Sequence, residues 1–195
     1  AWTRESHVNR FYVERATGSV QRYLARLKEL HATLPPASTV FLTGIPAFIS
    51  FQTADGPLLR WAYGDSSLRS YYFKDFTLAR YRRGPAFFIE LRGDSLREMT
   101  GRPQLMRDLA LHALLDEKPA MALDALTVAL EQGSSSDAMR YWAGWVLWTL
   151  GRRDSARAEL QAAGVALDAS PAPEIPRALR MVAAGDTAGA MRLMP

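Results

Sequence analysis

The side chains able to do covalent or metal chemistry are few and scattered in this 195-residue chain. His7, His31 and His112 stand far apart and make no metal-ligand set. His31 falls on the apolar stripe of a helical pattern and His112 inside a later one, where an imidazole reads as structural. Cysteine is absent, which removes disulfides and thiolate sites. Gly44-Ile45-Pro46 follows a strand-like run but lacks the glycine spacing and the lysine of a phosphate cradle. Ser66 and Ser67 lie beside Asp65 without a histidine partner. Asp55, Asp65, Asp75 and Asp94 all sit next to turn signals, where aspartate ordinarily hydrogen-bonds the backbone. The expectation is a chain with no catalytic residue, no bound metal and no cofactor.

Two groups of residues point to binding instead. The first is the segment holding Arg60, Trp61, Tyr63, Arg69, Tyr71, Tyr72, Lys74, Arg80, Tyr81, Arg82 and Arg83. Guanidinium groups interleaved with aromatics suit stacking on sugars or bases and gripping phosphates. Arg60, Arg69, Arg80, Arg82 and Arg83 are therefore candidate anion contacts. Alternation along a strand would turn about half of the aromatics into a core, and no nucleic-acid-binding motif accompanies them. The second group is an apolar series on the helices of the C-terminal half.

Composition sets the frame for both. Apolar residues make up 48% and charged ones 23%, as in ordinary globular domains. No apolar run approaches the ~18 residues of a membrane span. The chain opens without Met or a signal-like start, which reads as a fragment or a processed form. Charge is uneven: residues 1–102 carry 15 Lys/Arg against 9 Asp/Glu, and residues 103–195 carry 9 against 11. A basic half beside a mildly acidic one suits docking of one on the other, or an anionic surface next to the first.

The elements that must position these residues follow from periodicity. Val8, Phe11, Tyr12, Ala16, Val20, Tyr23, Leu24, Leu27, Leu30 and Leu34 form one stripe, predicting a helix over 3–34 that is kinked or broken near Gly18 and ended by Pro35-Pro36. A strand is expected over 38–43 and a helical turn or irregular stretch over 47–52. A helix is expected from Pro57 to Tyr63, a strand over 69–73, a short helix over 76–81, and a hairpin of 85–92 with 95–99 around Gly93-Asp94. Together these predict an α+β chain whose residues 1–102 form a long helix on a layer of about four strands. Gly101-Arg102-Pro103 is the joint to a helical half, with helices over 104–115, 119–132, 137–150, 153–167, 174–184 and 187–194.

That half repeats itself. Shifted by 34 residues, Ala110 falls on Gly144 and Ala178, Ala122 on Ala156 and Ala190, and Leu126 on Leu160 and Met194. Ala129 falls on Ala163, and Gly151 on Gly185. Two helices approach closely only where one presents Ala or Gly, so a fixed period of small residues implies stacked helical hairpins. Residues 103–195 resemble the tetratricopeptide repeat in three copies, 103–136, 137–170 and 171–195. The resemblance implies an α-helical solenoid in which the first helix of each hairpin lines a partner-binding groove. Carried onto this chain, the groove positions are Arg107, Leu111 and Leu114, then Tyr141, Trp145, Trp148 and Thr149, then Ile175, Leu179 and Val182. Trp142 would pack between neighbouring helices. The groove lacks the Lys/Arg clamp of the chaperone-docking members.

The order of elements in residues 1–100 is also similar to soluble extracytoplasmic tails of polytopic glycosyltransferase-like membrane proteins. It rests on the LPPASTVFL strand, the Gly-Ile-Pro loop, the Gln52–Leu58 stretch and Tyr63-Gly64-Asp65. That resemblance implies a location on the extracytoplasmic, periplasmic face of a bacterial membrane, with catalysis in a part absent from this chain. Trp2 would then be an interfacial anchor. The functional expectation is a non-catalytic interaction module of scaffold type. Its groove takes a protein partner or the chain's own N-terminal helix, and its last repeat offers a face for a homodimer. The alternative is an accessory domain contacting anionic glycan or lipid headgroups; a cytoplasmic location stays open.

Overall fold

The computed structural model describes residues 17–133 and 137–164. It is an α+β protein with eight helices and one four-stranded mixed sheet among the described residues. The chain divides into two compact units, Ala1–Gly101 and Arg102–Pro195.

In the first unit, helix α1 covers residues 17–30. Then come β1 (Thr39–Thr43), α2 (Ala47–Thr53), α3 (Pro57–Tyr63), β2 (Arg69–Tyr72), a 3-10 turn (Phe73–Asp75), α4 (Leu78–Tyr81), β3 (Ala86–Arg92) and β4 (Ser95–Glu98). The sheet order is β2-β1-β3-β4, with β1 parallel to both neighbours and β4 antiparallel to β3. Parallel strands are covered on both faces, and β1 is accordingly buried at four of its five positions. Its register sets Val40 beside Phe87 and Leu42 beside Ile89. This face packs on Tyr23 and Leu27 of α1 and Leu59 of α3. The other face is aromatic: Phe41 stacks on Phe88 at 4.9 Å, with Phe76 at 5.3 Å and Phe73 edge-on to Phe88 at 5.6 Å.

Local signals explain the boundaries. Pro57 opens α3 after a left-handed Gly56, and left-handed Gly64 closes it. Thr77 caps α4, its hydroxyl accepting from the Arg80 amide at 3.2 Å. Gly44 ends β1 at φ 75°, and a Cβ there would collide with the Leu91 carbonyl, so glycine lets the ends of β1 and β3 meet.

Two expectations about helix ends are corrected. Helix α1 stops at residue 30 rather than 34. The His31 carbonyl accepts from the Tyr63 hydroxyl at 2.7 Å, and its Nε2 meets a Glu98 carboxylate oxygen, so the chain turns there. Leu34 stays buried from an extended segment. Gly18 and Ser19 lie within the helical residues; the part expected over 3–16, with Trp2 and His7, lies outside the described residues.

The second unit contains α5 (Leu105–Leu115), α6 (Pro119–Glu131), α7 (Asp137–Thr149) and α8 (Arg153–Ala162). Each helix packs on the next, and the short turns within α5–α6 and α7–α8 make these pairs helical hairpins. Gly151 turns at φ 75° between α7 and α8. The small residues sit where helices touch. Ala110, Ala122 and Ala156 are buried, and a Cβ on Gly144 would lie 2.7 Å from Leu160 Cγ and 3.2 Å from the Ala156 carbonyl. Helix α8 ends at Ala162 instead of 167, because Gly164 takes φ 73°. The helices expected over 174–184 and 187–194 lie outside the described residues.

Candidate partner-binding site

Helix α7 carries the densest aromatic cluster of the second unit. Tyr141, Trp142, Ala143, Gly144, Val146 and Leu147 are buried, whereas Trp145 and Trp148 are half-buried and Thr149 is exposed. A spacing of three residues sets the two tryptophans on one side of the helix, a turn apart. The Arg153 guanidinium, across the Gly151 turn, lies 3.9 Å over the Trp148 ring. On α5, Arg107, Leu111 and Leu114 are half-buried. Arg107 pairs with Asp108 at 3.7 Å. Tyr141, at 7% exposure, belongs to the packing of the unit rather than to an open face. Ile175, Leu179 and Val182 lie outside the described residues.

A cleft of about 470 Å³ also opens between α6, α7 and α8. Arg140 and Glu159 pair across it at 3.3 Å. Glu131 and Arg152 also line it, so two acidic and two basic side chains share the wall.

In the first unit the basic, aromatic segment is largely tied to its own backbone. Arg60 Nη1 donates to the Asp55 carbonyl at 2.6 Å, and Arg69 Nη1 to the carbonyls of Ser66 and Leu68 at 2.7 Å each. Arg80 Nη1 donates to the Asp75 carbonyl, and its guanidinium lies 4.2 Å over Tyr71. Arg82 and Arg83 are exposed. Tyr71, Phe73 and Tyr81 join the aromatic layer around Phe41 and Phe88. Three of the five arginines, Arg60 of α3, Arg69 of β2 and Arg80 of α4, thus spend donors on carbonyls close to them in the chain. Trp61 is the outlier, 76% exposed on α3.

The titratable groups behave as fold elements. The Asp65 carboxylate accepts from the Ser67 hydroxyl at 2.6 Å and the Ser67 amide at 2.7 Å, and these bonds hold its pKa below the usual carboxylate value. Ser67 Oγ in turn accepts from the Ala37 amide at 2.7 Å, joining the turns ahead of β1 and β2. Burial pushes the Tyr23 phenol well above its ordinary range, with smaller contributions from Tyr63 and Tyr72. The Tyr23 hydroxyl has no hydrogen-bond partner among the described residues. His112 is exposed on α5. Among the described residues no three His, Asp or Glu are grouped to hold a metal, and no helix is long and apolar enough to cross a membrane.

Sequence reasoning passed over Arg153, whose stacking on Trp148 depends on the turn between two helices rather than on a helical period. Comparison with protein-family models, curated proteins and solved structures returned no match for this chain.

Proposed function

We propose that the chain is a non-catalytic interaction module whose helical unit is a tetratricopeptide-like array that holds a protein partner. The observation that carries this reading is the pair Trp145 and Trp148. Two large aromatics stay half-open on α7 while Ala143, Gly144, Val146 and Leu147 beside them are buried. Such aromatic anchors dominate binding energy where they are found in interfaces. The 34-residue period supports the array, since Gly144 meets Ala156 and Leu160 at a close approach and Ala110, Ala122 and Leu126 occupy the matching places one period earlier. With Leu111 and Leu114 on α5, the same side of alternate helices would offer an apolar strip rimmed by Arg107 and Arg153. That chemistry fits an extended or helical peptide with apolar side chains and an acidic flank. The test is capture of partner from lysate of the source cells by wild type and by Trp145→Ala and Trp148→Glu. Both variants should lose the partner while still unfolding cooperatively, with a thermal midpoint well above the assay temperature; full capture by folded variants rejects the reading.

A second reading has one observation in its favour. Trp61 projects into solvent, as tryptophans do at the headgroup level of a membrane surface. The first unit would then be a membrane-proximal accessory domain of the glycosyltransferase-like kind. Sedimentation with anionic vesicles should fall on Trp61→Ala if so, and be unaffected if not.

A further inference from the structure

A cavity of about 320 Å³ lies in the first unit at the carboxyl ends of β1 and β3. The chain runs from β1 to β2 on one side and then returns to place β3 on the other. The cavity therefore sits where the strand order reverses. The chain leaves β1 through α2 but leaves β3 by the tight turn to β4, and the crevice opens between these two departures at the carboxyl ends of parallel strands, where such sheets bind ligands. Its floor is apolar, from Ile49, Leu91 and Leu96, with the ring of buried Tyr23 in the wall. Its rim is charged. Arg22 and Arg26, one turn apart on α1, both line it, and Asp94 of the β3–β4 turn lines it from the other element. Two guanidiniums thus face one carboxylate.

The existing partners of these groups are weak or turned aside. Arg22 Nε is 4.0 Å from Asp94 Oδ1, with both side chains mostly in solvent, and its Nη2 is 3.3 Å from Ser19 Oγ. Arg26 holds Glu29 at 2.8 Å along the helix, and Glu29 is not among the residues lining the cavity. Each guanidinium has five donors, and among the described residues the contacts with Ser19, Asp94 and Glu29 use only part of them. An exposed pair at 4.0 Å contributes little and is readily exchanged for a better-placed anion.

We infer that this cavity is a ligand site for a small amphipathic anion: one phosphate or carboxylate head held by Arg22 and Arg26, with a short apolar body on the Ile49–Leu91–Leu96 floor. The arginine-rich segment over 60–83 takes no part in it. The inference concerns the first unit alone and stands whether or not the helical unit holds a protein.

Such a head could belong to a free metabolite or to a lipid, so the experiment has two arms. Calorimetric titration of the full chain with monomeric octyl phosphate, beside octanol as the uncharged control, reads the first. Sedimentation with phosphatidylglycerol vesicles, beside phosphatidylcholine vesicles, reads the second. Arg22 and Arg26 are exposed, so the double variant Arg22→Gln/Arg26→Gln keeps the fold, checked by its thermal midpoint. Octyl phosphate should bind at least tenfold tighter than octanol, and the double variant should remove that advantage. Asp94→Asn, which deletes the competing carboxylate, should tighten octyl phosphate severalfold. Vesicle binding alone, lost in the double variant, would assign the head to lipid. Equal binding of octyl phosphate and octanol with no vesicle binding overturns the site. So does a double variant that binds either probe like wild type.

Discussion

Tyr23 and Asp65 show how single side chains set the stability of the first unit. The Tyr23 hydroxyl is shut in without a partner among the described residues, and an unsatisfied buried hydroxyl costs about 1–3 kcal/mol relative to one in water. Tyr23→Phe should therefore raise stability by about 1 kcal/mol in chemical denaturation at pH 7. Its pKa is raised on folding, so the neutral phenol's contribution is complete below about pH 10 and lost as pH rises above that. The gain from Tyr23→Phe should thus widen in alkali; a gap that stays constant from pH 7 to 11 would contradict the burial argument. Asp65 works in the opposite direction. Its pKa is lowered on folding, so its contribution is full above about pH 4 and lost as pH falls through the depressed native value. Asp65→Asn should lower the thermal midpoint at pH 7, and the difference from wild type should shrink on acidification below pH 4. Asp65 was legible as a turn aspartate because its partner Ser67 is two residues away, whereas the Ala37–Ser67 bond that extends this turn spans thirty residues and left no local signal.

At the scale of elements, sequence signals succeeded where they were local and failed where a distant contact decided. Gly56, Pro57 and Gly64 bracket α3, and Gly93-Asp94 makes the hairpin turn, so these were readable from a few neighbouring residues. The end of α1 was not. Leu34 keeps the helical stripe in phase, yet it is buried by a chain already turned aside at His31. The end of α8 was missed for another reason: the apolar Val165, Ala166 and Leu167 continue the pattern past Gly164, but a left-handed glycine outweighs periodicity. The period of small residues was the clearest element-level signal, and it makes a sharp prediction. Gly144→Val places a branched side chain against Leu160 and the Ala156 carbonyl and should cost about 1–3 kcal/mol by overpacking. Ala158→Val on the exposed side of α8 should cost only about 0.5 kcal/mol, the propensity difference. Equal losses in urea denaturation would mean that α7 and α8 do not nest at Gly144.

At the scale of the whole molecule, the chain divides into two units of different chemistry. The first is a twice-covered sheet with a basic surface and a cavity at its strand ends. The cavity gathers residues from 19–26, 46–49 and 91–96, a set with no sequence period, so only the fold brings it into view. The second is a run of nested helices with two half-buried tryptophans, and there residue order alone pointed to α7, though not to Arg153. The account's central claim is that this helical unit exists to hold another protein. A photo-reactive phenylalanine analogue placed at position 148, in cells producing the full chain, tests it most directly. The same label at exposed position 158 of α8 serves as the control. The account predicts a discrete covalent adduct with a second protein from position 148 that is absent from position 158 and abolished by Trp145→Ala. Adducts equally frequent at both positions, or none at position 148, would contradict it.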